Sequence, residues 1–280
     1  MTTNKSVKKY ALFGALFATT IGMANIGHAI TFSSDISITG SVEFDTAFST
    51  LTGSTIQGGT QGSIIGGVTT TTTITGTSVS GSNPLGGSLT DIGDGIFSTF
   101  NMLGINGDEG DLFNDFSLNL TNNSATDQYR VSFELDFLNF ADADGTDAFV
   151  DSQFSLFNGG TEIFFTDFIS DTFFGDHENS GLDRGTFGAT LSDSGVRFFD
   201  FLLDPLASIN LTAKNELKGG GFTFDALFNG SLESSLTVSG VENLTIPPEP
   251  PEPPAAVPVP AAAWLFGSVL LAGLGFRRRS

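Results

Sequence analysis

The sequence predicts an all-β protein: an antiparallel β-sandwich, with jelly-roll topology among the arrangements it allows, a removable leader before it and a single membrane-spanning helix after it. Three observations carry this reading. Long stretches of the middle alternate apolar and polar residues with period two, the mark of a half-buried strand. Gly, Asn and Asp punctuate those stretches, as turns require, and no amphipathic helical period occurs between them. Strongly apolar runs are confined to the two ends of the 280 residues.

The first element is the leader. Lys5, Lys8 and Lys9 precede an apolar run from Tyr10 to Met23, and Gly27 and Ala29 flank His28 at its exit. A basic start, a short apolar stretch and a small-x-small exit form a secretory signal peptide over residues 1–29, with signal peptidase cutting after Ala29.

The second element is the body, residues 30–246. Asp115–Thr121 alternates, Asn122–Asp127 turns, and Tyr129–Phe137 alternates again without an error. Gln153–Phe157, Thr161–Phe165, Val196–Leu203, Ser208–Leu217, Phe222–Phe228 and Ser231–Val238 read the same way. The chain has 29 phenylalanines against two tyrosines and one tryptophan. Phe133, Phe137, Phe154 and Phe157 take the inward positions, so they read as core rather than as a platform for sugar rings, which recruits Trp and Tyr. Residues 49–93 differ in composition. They are rich in Gly, Ser and Thr and read as a low-complexity insert, either a loose edge hairpin or disordered.

Charge narrows the partners. All 31 acids lie between Asp35 and Glu252, where only five of the eleven Lys and Arg fall, leaving that stretch at −26. Such a body repels nucleic acid and anionic lipid and favours cations or basic partners. With no cysteine, disulfides, thiolate catalysis and thiolate-bound zinc are excluded. After the leader only His177 remains, in the polar loop 175–181, too little for a histidine-based zinc site. Asp142, Asp144 and Asp147 alternate around Gly145 and form the candidate Ca²⁺ site, with Asp151 in reach as a fourth ligand. The alternative is an Asp/Gly turn joining two strands. Residues 106–111, Asn-Gly-Asp-Glu-Gly-Asp, are a second, weaker case.

The last elements are a spacer and a tail. Eight of the ten prolines lie between Pro247 and Pro260. Residues 247–256 therefore read as an extended linker, about 3.1 Å per residue. In the tail, residues 257–280, Pro258 and Pro260 enclose Val259. Ala261 and Ala262 follow, and Trp264, Leu265, Phe266, Gly267 and Ser268 continue an apolar helix that runs to Phe276. Arg277, Arg278 and Arg279 close it on the cytoplasmic side. Sixteen apolar residues lie near the lower limit of the ~17–25 that span a bilayer.

This tail resembles a PEP-CTERM sorting signal. Its prolyl pair holds valine where the namesake holds glutamate; Pro248-Glu249-Pro250 and Pro251-Glu252-Pro253 lie upstream. The resemblance covers about the last two dozen residues. It implies a substrate of exosortase, an inner-membrane transpeptidase-like protease of Gram-negative bacteria that make extracellular polysaccharide. The implied route is transient insertion in the inner membrane, then release to the cell surface or matrix. Two functions fit. One is a non-enzymatic structural or adhesive component associated with exopolysaccharide or biofilm. The other is a secreted glycoside hydrolase, which needs two carboxylates at a set separation in a cleft.

Overall fold

The structure, a computed structural model, describes residues 32–179 and 181–245. The segments expected to be a signal peptide, a proline-rich linker and a sorting signal lie outside the described residues.

Sixteen strands and no helix occur among the described residues. In chain order they are β1 (Ile36–Phe44), β2 (Thr50–Leu51), β3 (Ile56–Ile65), β4 (Val68–Thr75), β5 (Ser78–Ser80) and β6 (Leu85–Leu89). Then come β7 (Gly95–Ile105), β8 (Glu109–Asn122), β9 (Tyr129–Asp144), β10 (Ala148–Asn158) and β11 (Thr161–Asp171). The chain continues with β12 (His177–Glu178), β13 (Leu182–Asp183), β14 (Leu191–Leu203), β15 (Ser208–Gly221) and β16 (Leu227–Asn243). One sheet has nine strands in the order β13-β12-β11-β10-β15-β8-β1-β6, with β2 beside β8. The other has seven, in the order β14-β9-β16-β7-β3-β4-β5. Every pairing is antiparallel.

The predicted alternation is the physical origin of the two layers. In β9 every second residue from Tyr129 to Ala143 is buried, because successive side chains of a strand point to opposite faces. The buried set faces the inward side chains of β10 and β11 across the sandwich. Phe133 and Phe154 are fully buried and Phe137 is 2% exposed. Phe157 is only half-buried, since three residues on from inward Phe154 it points to the opposite face, as does its β15 partner Thr212. Phe222–Phe228 is corrected as well: the stretch from Phe222 to Ala226 is a turn, and β16 begins at Leu227.

Residues 49–93 fold as the edge-hairpin alternative. They build β2 to β6, and β3 pairs with β7 from Ile56↔Leu103 to Ile64↔Gly95. Glycine is required there by close approach: a Cβ on Gly59 would stand 2.4 Å from the Thr99 carbonyl oxygen, and one on Gly62 would stand 2.4 Å from the Phe97 ring.

A polar chain crosses the core. Ser234 Oγ donates to Asn215 Oδ1 (2.8 Å), Asn215 Nδ2 donates to Asn114 Oδ1 (2.7 Å), and Asn114 Nδ2 donates to Ser98 Oγ. All four residues are at most 2% exposed. They come from β16, β15, β8 and β7, so the chain ties one sheet to the other, each bond adding about 1 kcal/mol net.

The body has two distinct ends. The Tyr129 hydroxyl donates to Asp35 Oδ2 (3.0 Å) and accepts from Asn243 Nδ2 (3.2 Å). The first and last strands therefore bring residues 32–35 and 243–245 to the same end. The sixteen residues of β9 run from there to the opposite end, roughly 50 Å away at ~3.3 Å per residue.

Candidate functional site

That opposite end is built from three turns: residues 144–148 between β9 and β10, residues 171–176 after β11, and residues 221–227 between β15 and β16. Gly145 lets the first approach the third. Its φ is +90°, and a Cβ there would lie 2.0 Å from the Asp225 carbonyl oxygen. Hydroxyl groups then lock them together. Thr146 Oγ1 donates to Asp225 Oδ2 (3.0 Å), Thr223 Oγ1 donates to Asp225 Oδ1 (2.7 Å), and the Phe222 amide donates to the Asp147 carbonyl (3.0 Å). Hydrogen bonds from Thr223 and Thr146 hold the exposed Asp225 carboxyl below the usual range.

The second turn is organised by buried Asp176, which is 0% exposed. Its Oδ1 accepts from the Asp171 amide (2.9 Å) and the Gly188 amide (2.8 Å), and its Oδ2 accepts from the Ala189 amide (3.0 Å). Asp171 Oδ1 in turn accepts from the amides of Phe173 and Phe174, both at 2.7 Å. The turn thus stands two phenylalanines outward, at 62% and 78% exposure.

Between these turns lies an apolar cleft of about 330 Å³, walled by Phe149, Phe173, Phe174 and Phe222 with Asp147, Ala148 and Asp171. Phe149 and Phe222 stack at 6.2 Å, and Phe173 meets Phe174 edge-on at 4.8 Å. Phe222, like Phe173 and Phe174, is well exposed, so the cleft turns apolar rings to solvent and offers a concave surface suited to apolar groups. Sequence reading missed these four. The available signal was large apolar residues beside turn residues, in Phe-Phe-Gly at 173–175 and Phe-Thr-Phe at 222–224.

Of the candidate Ca²⁺ ligands Asp142, Asp144 and Asp147, the last alone lines this cleft. Asp142 Oδ1 accepts from Thr190 Oγ1 (2.6 Å), Asp144 Oδ1 accepts from the Gly145 amide (2.8 Å), and Asp147 adopts φ +53° at the cleft wall. Among the described residues no group of three or more His, Cys, Asp or Glu is disposed to hold a metal ion. In the second acidic loop, Asp108 accepts from the Ser54 amide (2.7 Å) and hydroxyl, and Asp111 accepts from Thr50 Oγ1 (2.6 Å).

Three carboxyls are raised, each chiefly by burial: Asp115, with Lys214 opposing; Asp151, with Lys218 opposing; and Glu233, with Asp136 adding. None of them lines the cleft. Asp151 shares a hydrogen bond with the Asp167 carboxyl. Carboxylates in direct contact are too close for glycoside hydrolysis, which separates them by about 5–5.5 Å or 6.5–9.5 Å. His177 Nδ1 lies 3.0 Å from the Gly175 carbonyl oxygen.

No family model matches the chain, and no curated protein matches it. One solved structure, that of infectious bursal disease virus Gt strain, aligns at 7% identity with a TM-score of 0.12. It covers 89% of this chain and 74% of the viral one. A likeness that low carries no argument about fold or function.

Proposed function

We propose that this is an exported, exosortase-processed, non-enzymatic protein of the cell surface or extracellular matrix of a Gram-negative bacterium, with an adhesive or structural role beside exopolysaccharide. The observation that carries the adhesive part is the phenylalanine cleft at the end opposite Thr245, where the proline-rich linker begins. Phenylalanine walls supply contact area without the hydroxyl or indole donor that sugar recognition uses, so the cleft suits apolar groups on matrix components. The order in which strands from β6 to β10 alternate between sheets supports the jelly-roll reading of the topology.

The export part rests on the tail and leader residues. Signal peptidase would remove residues 1–29, and exosortase would act near Pro258 and Pro260 while the helix sits in the inner membrane. The glycoside hydrolase reading has less support from the cleft: Asp171 there is engaged by the Phe173 and Phe174 amides, and none of the raised carboxyls lines it.

The experiment is fractionation of the native host with and without exosortase. The surface form should have lost both residues 1–29 and the helix bearing Trp264, as read by intact mass. The Phe173→Ser/Phe174→Ser form should be processed equally and yet leave the matrix fraction for the medium. A surface form that keeps the helix refutes the sorting reading. Unchanged matrix retention of the double variant refutes the cleft reading.

A further inference from the structure

Strand β14 forms one edge of the seven-stranded sheet and differs from the other edges. It pairs with β9 in unbroken register over thirteen residues, from Leu191↔Ala141 to Leu203↔Tyr129, and its far side is open. The opposite edge, β5, has three residues, and the other sheet ends in the two-residue β13 and the five-residue β6. Two inner strands are also partly uncovered. The open part of β4 is short, and that of β11 is interrupted by the irregular pairing at Leu156/Phe157. Short or bulged edges are how sheets avoid pairing with other chains. β14 lacks that protection and also exposes apolar side chains: Val196 at 42%, Phe198 at 69% and Leu202 at 56%.

We propose that β14 is a self-pairing edge, and that its occupant is β14 of a second copy, antiparallel across a two-fold axis perpendicular to the sheet. Such an axis keeps each face on its own side, so residues that meet must share parity. Odd-numbered residues of β14 point inward, as buried Leu191, Phe201 and Leu203 show. Asp193 and Arg197 share that parity. The register centred on Gly195 sets Arg197 of each copy opposite Asp193 of the other, giving two symmetric ion pairs. A register centred on Arg197 would oppose two guanidinium groups instead. Arg197 is available for this. Its guanidinium lies over the Phe137 and Phe164 rings at 5.4 and 6.0 Å, and it makes no ion pair among the described residues. At the axis itself Gly195 presents no side chain. Because one long open edge is consumed per copy, association closes at two rather than growing into a fibre.

The chain has no cysteine, so one introduced thiol reports the register in the full chain purified in detergent. With Gly195→Cys the two sulfurs lie across the axis, on Cα atoms about 4.5–5.5 Å apart, inside disulfide range. Mild oxidation should give a disulfide-linked dimer, and Ser80→Cys on the β5 edge should give none. Arg197→Glu, at an exposed position, should weaken dimerisation roughly tenfold as two attractions become two repulsions. Adding Asp193→Lys to it should restore the dimer. The proposal is overturned if Gly195→Cys stays monomeric, or if Arg197→Glu dimerises as the unaltered chain does.

Discussion

Replacing Asp176 tests whether one buried carboxylate holds the cleft end together. The side chain is fully buried, and its two oxygens accept three backbone amides, those of Asp171, Gly188 and Ala189, at 2.8–3.0 Å. Hydrogen bonds to a charged acceptor contribute about 1.5–3 kcal/mol each. The donors are only part-buried, so water recovers some of the loss when the acceptor goes. Asp176→Ala should therefore cost about 3–5 kcal/mol, a large fraction of the ~5–15 kcal/mol that a domain possesses. Asp176→Asn should cost less, because one oxygen already serves two of the three amides. For a body of this size about 2–4 °C accompanies each kcal/mol, so the alanine form should melt roughly 6–20 °C lower. Urea unfolding gives the free energy, and hydrogen exchange should quicken first at the amides of Asp171, Gly188 and Ala189. An alanine variant within about 1 kcal/mol of the parent, or an asparagine variant worse than alanine, would show that the carboxylate is not what orders these turns.

Two further outcomes follow from the same structure. Phe133→Ala removes a fully buried ring that meets Phe201 edge-on at 6.0 Å, and should cost about 3–5 kcal/mol by urea unfolding. Thermal stability should rise as pH falls from 7 towards 5. Asp115, Asp151 and Glu233 have raised folded pKa values, so the folded state holds their protons more tightly than the unfolded chain does. The stability they contribute is complete below the ordinary carboxyl range near ~4 and is lost as pH rises through the raised values. Asp225 is shifted the other way and opposes the trend only at lower pH. Asp151→Asn should flatten the profile, and melting curves at each pH decide it.

Strand faces were legible in the sequence because alternation and burial are the same fact in a two-layer sheet. Tyr129–Phe137 shows this residue by residue. Alternation says nothing about where a strand ends, which is why Phe222–Phe228 resembles a strand although most of it turns. Phe157 differs for another reason, since its odd spacing from Phe154 puts it on the opposite face of the strand. Residues 49–93, poor in large side chains, read equally as a loose edge hairpin or as a disordered insert. Their glycines are there because the Thr99 backbone and the Phe97 ring come too close for any Cβ, a constraint set by partners far along the chain. The cleft is a topological product: Phe149, Phe173 and Phe222 meet only because three turns end at one edge of the sandwich. Alternation therefore placed strand phenylalanines such as Phe133 and Phe154 in the core and said nothing of those in the turns.

The two surfaces make different demands on their partners. The four phenylalanines of the cleft all come from one copy, so a single body can use it. Pairing through β14 is different, because a two-fold axis perpendicular to the sheet runs the two copies in opposite directions. The Thr245 end of one then lies beside the cleft end of the other, the two ends of each copy being about 50 Å apart along β9. A parallel approach of two β14 edges loses the antiparallel register and leaves both ion pairs unmade. Self-pairing therefore depends on protein concentration and on the direction of approach, whereas the cleft is open to every copy alone.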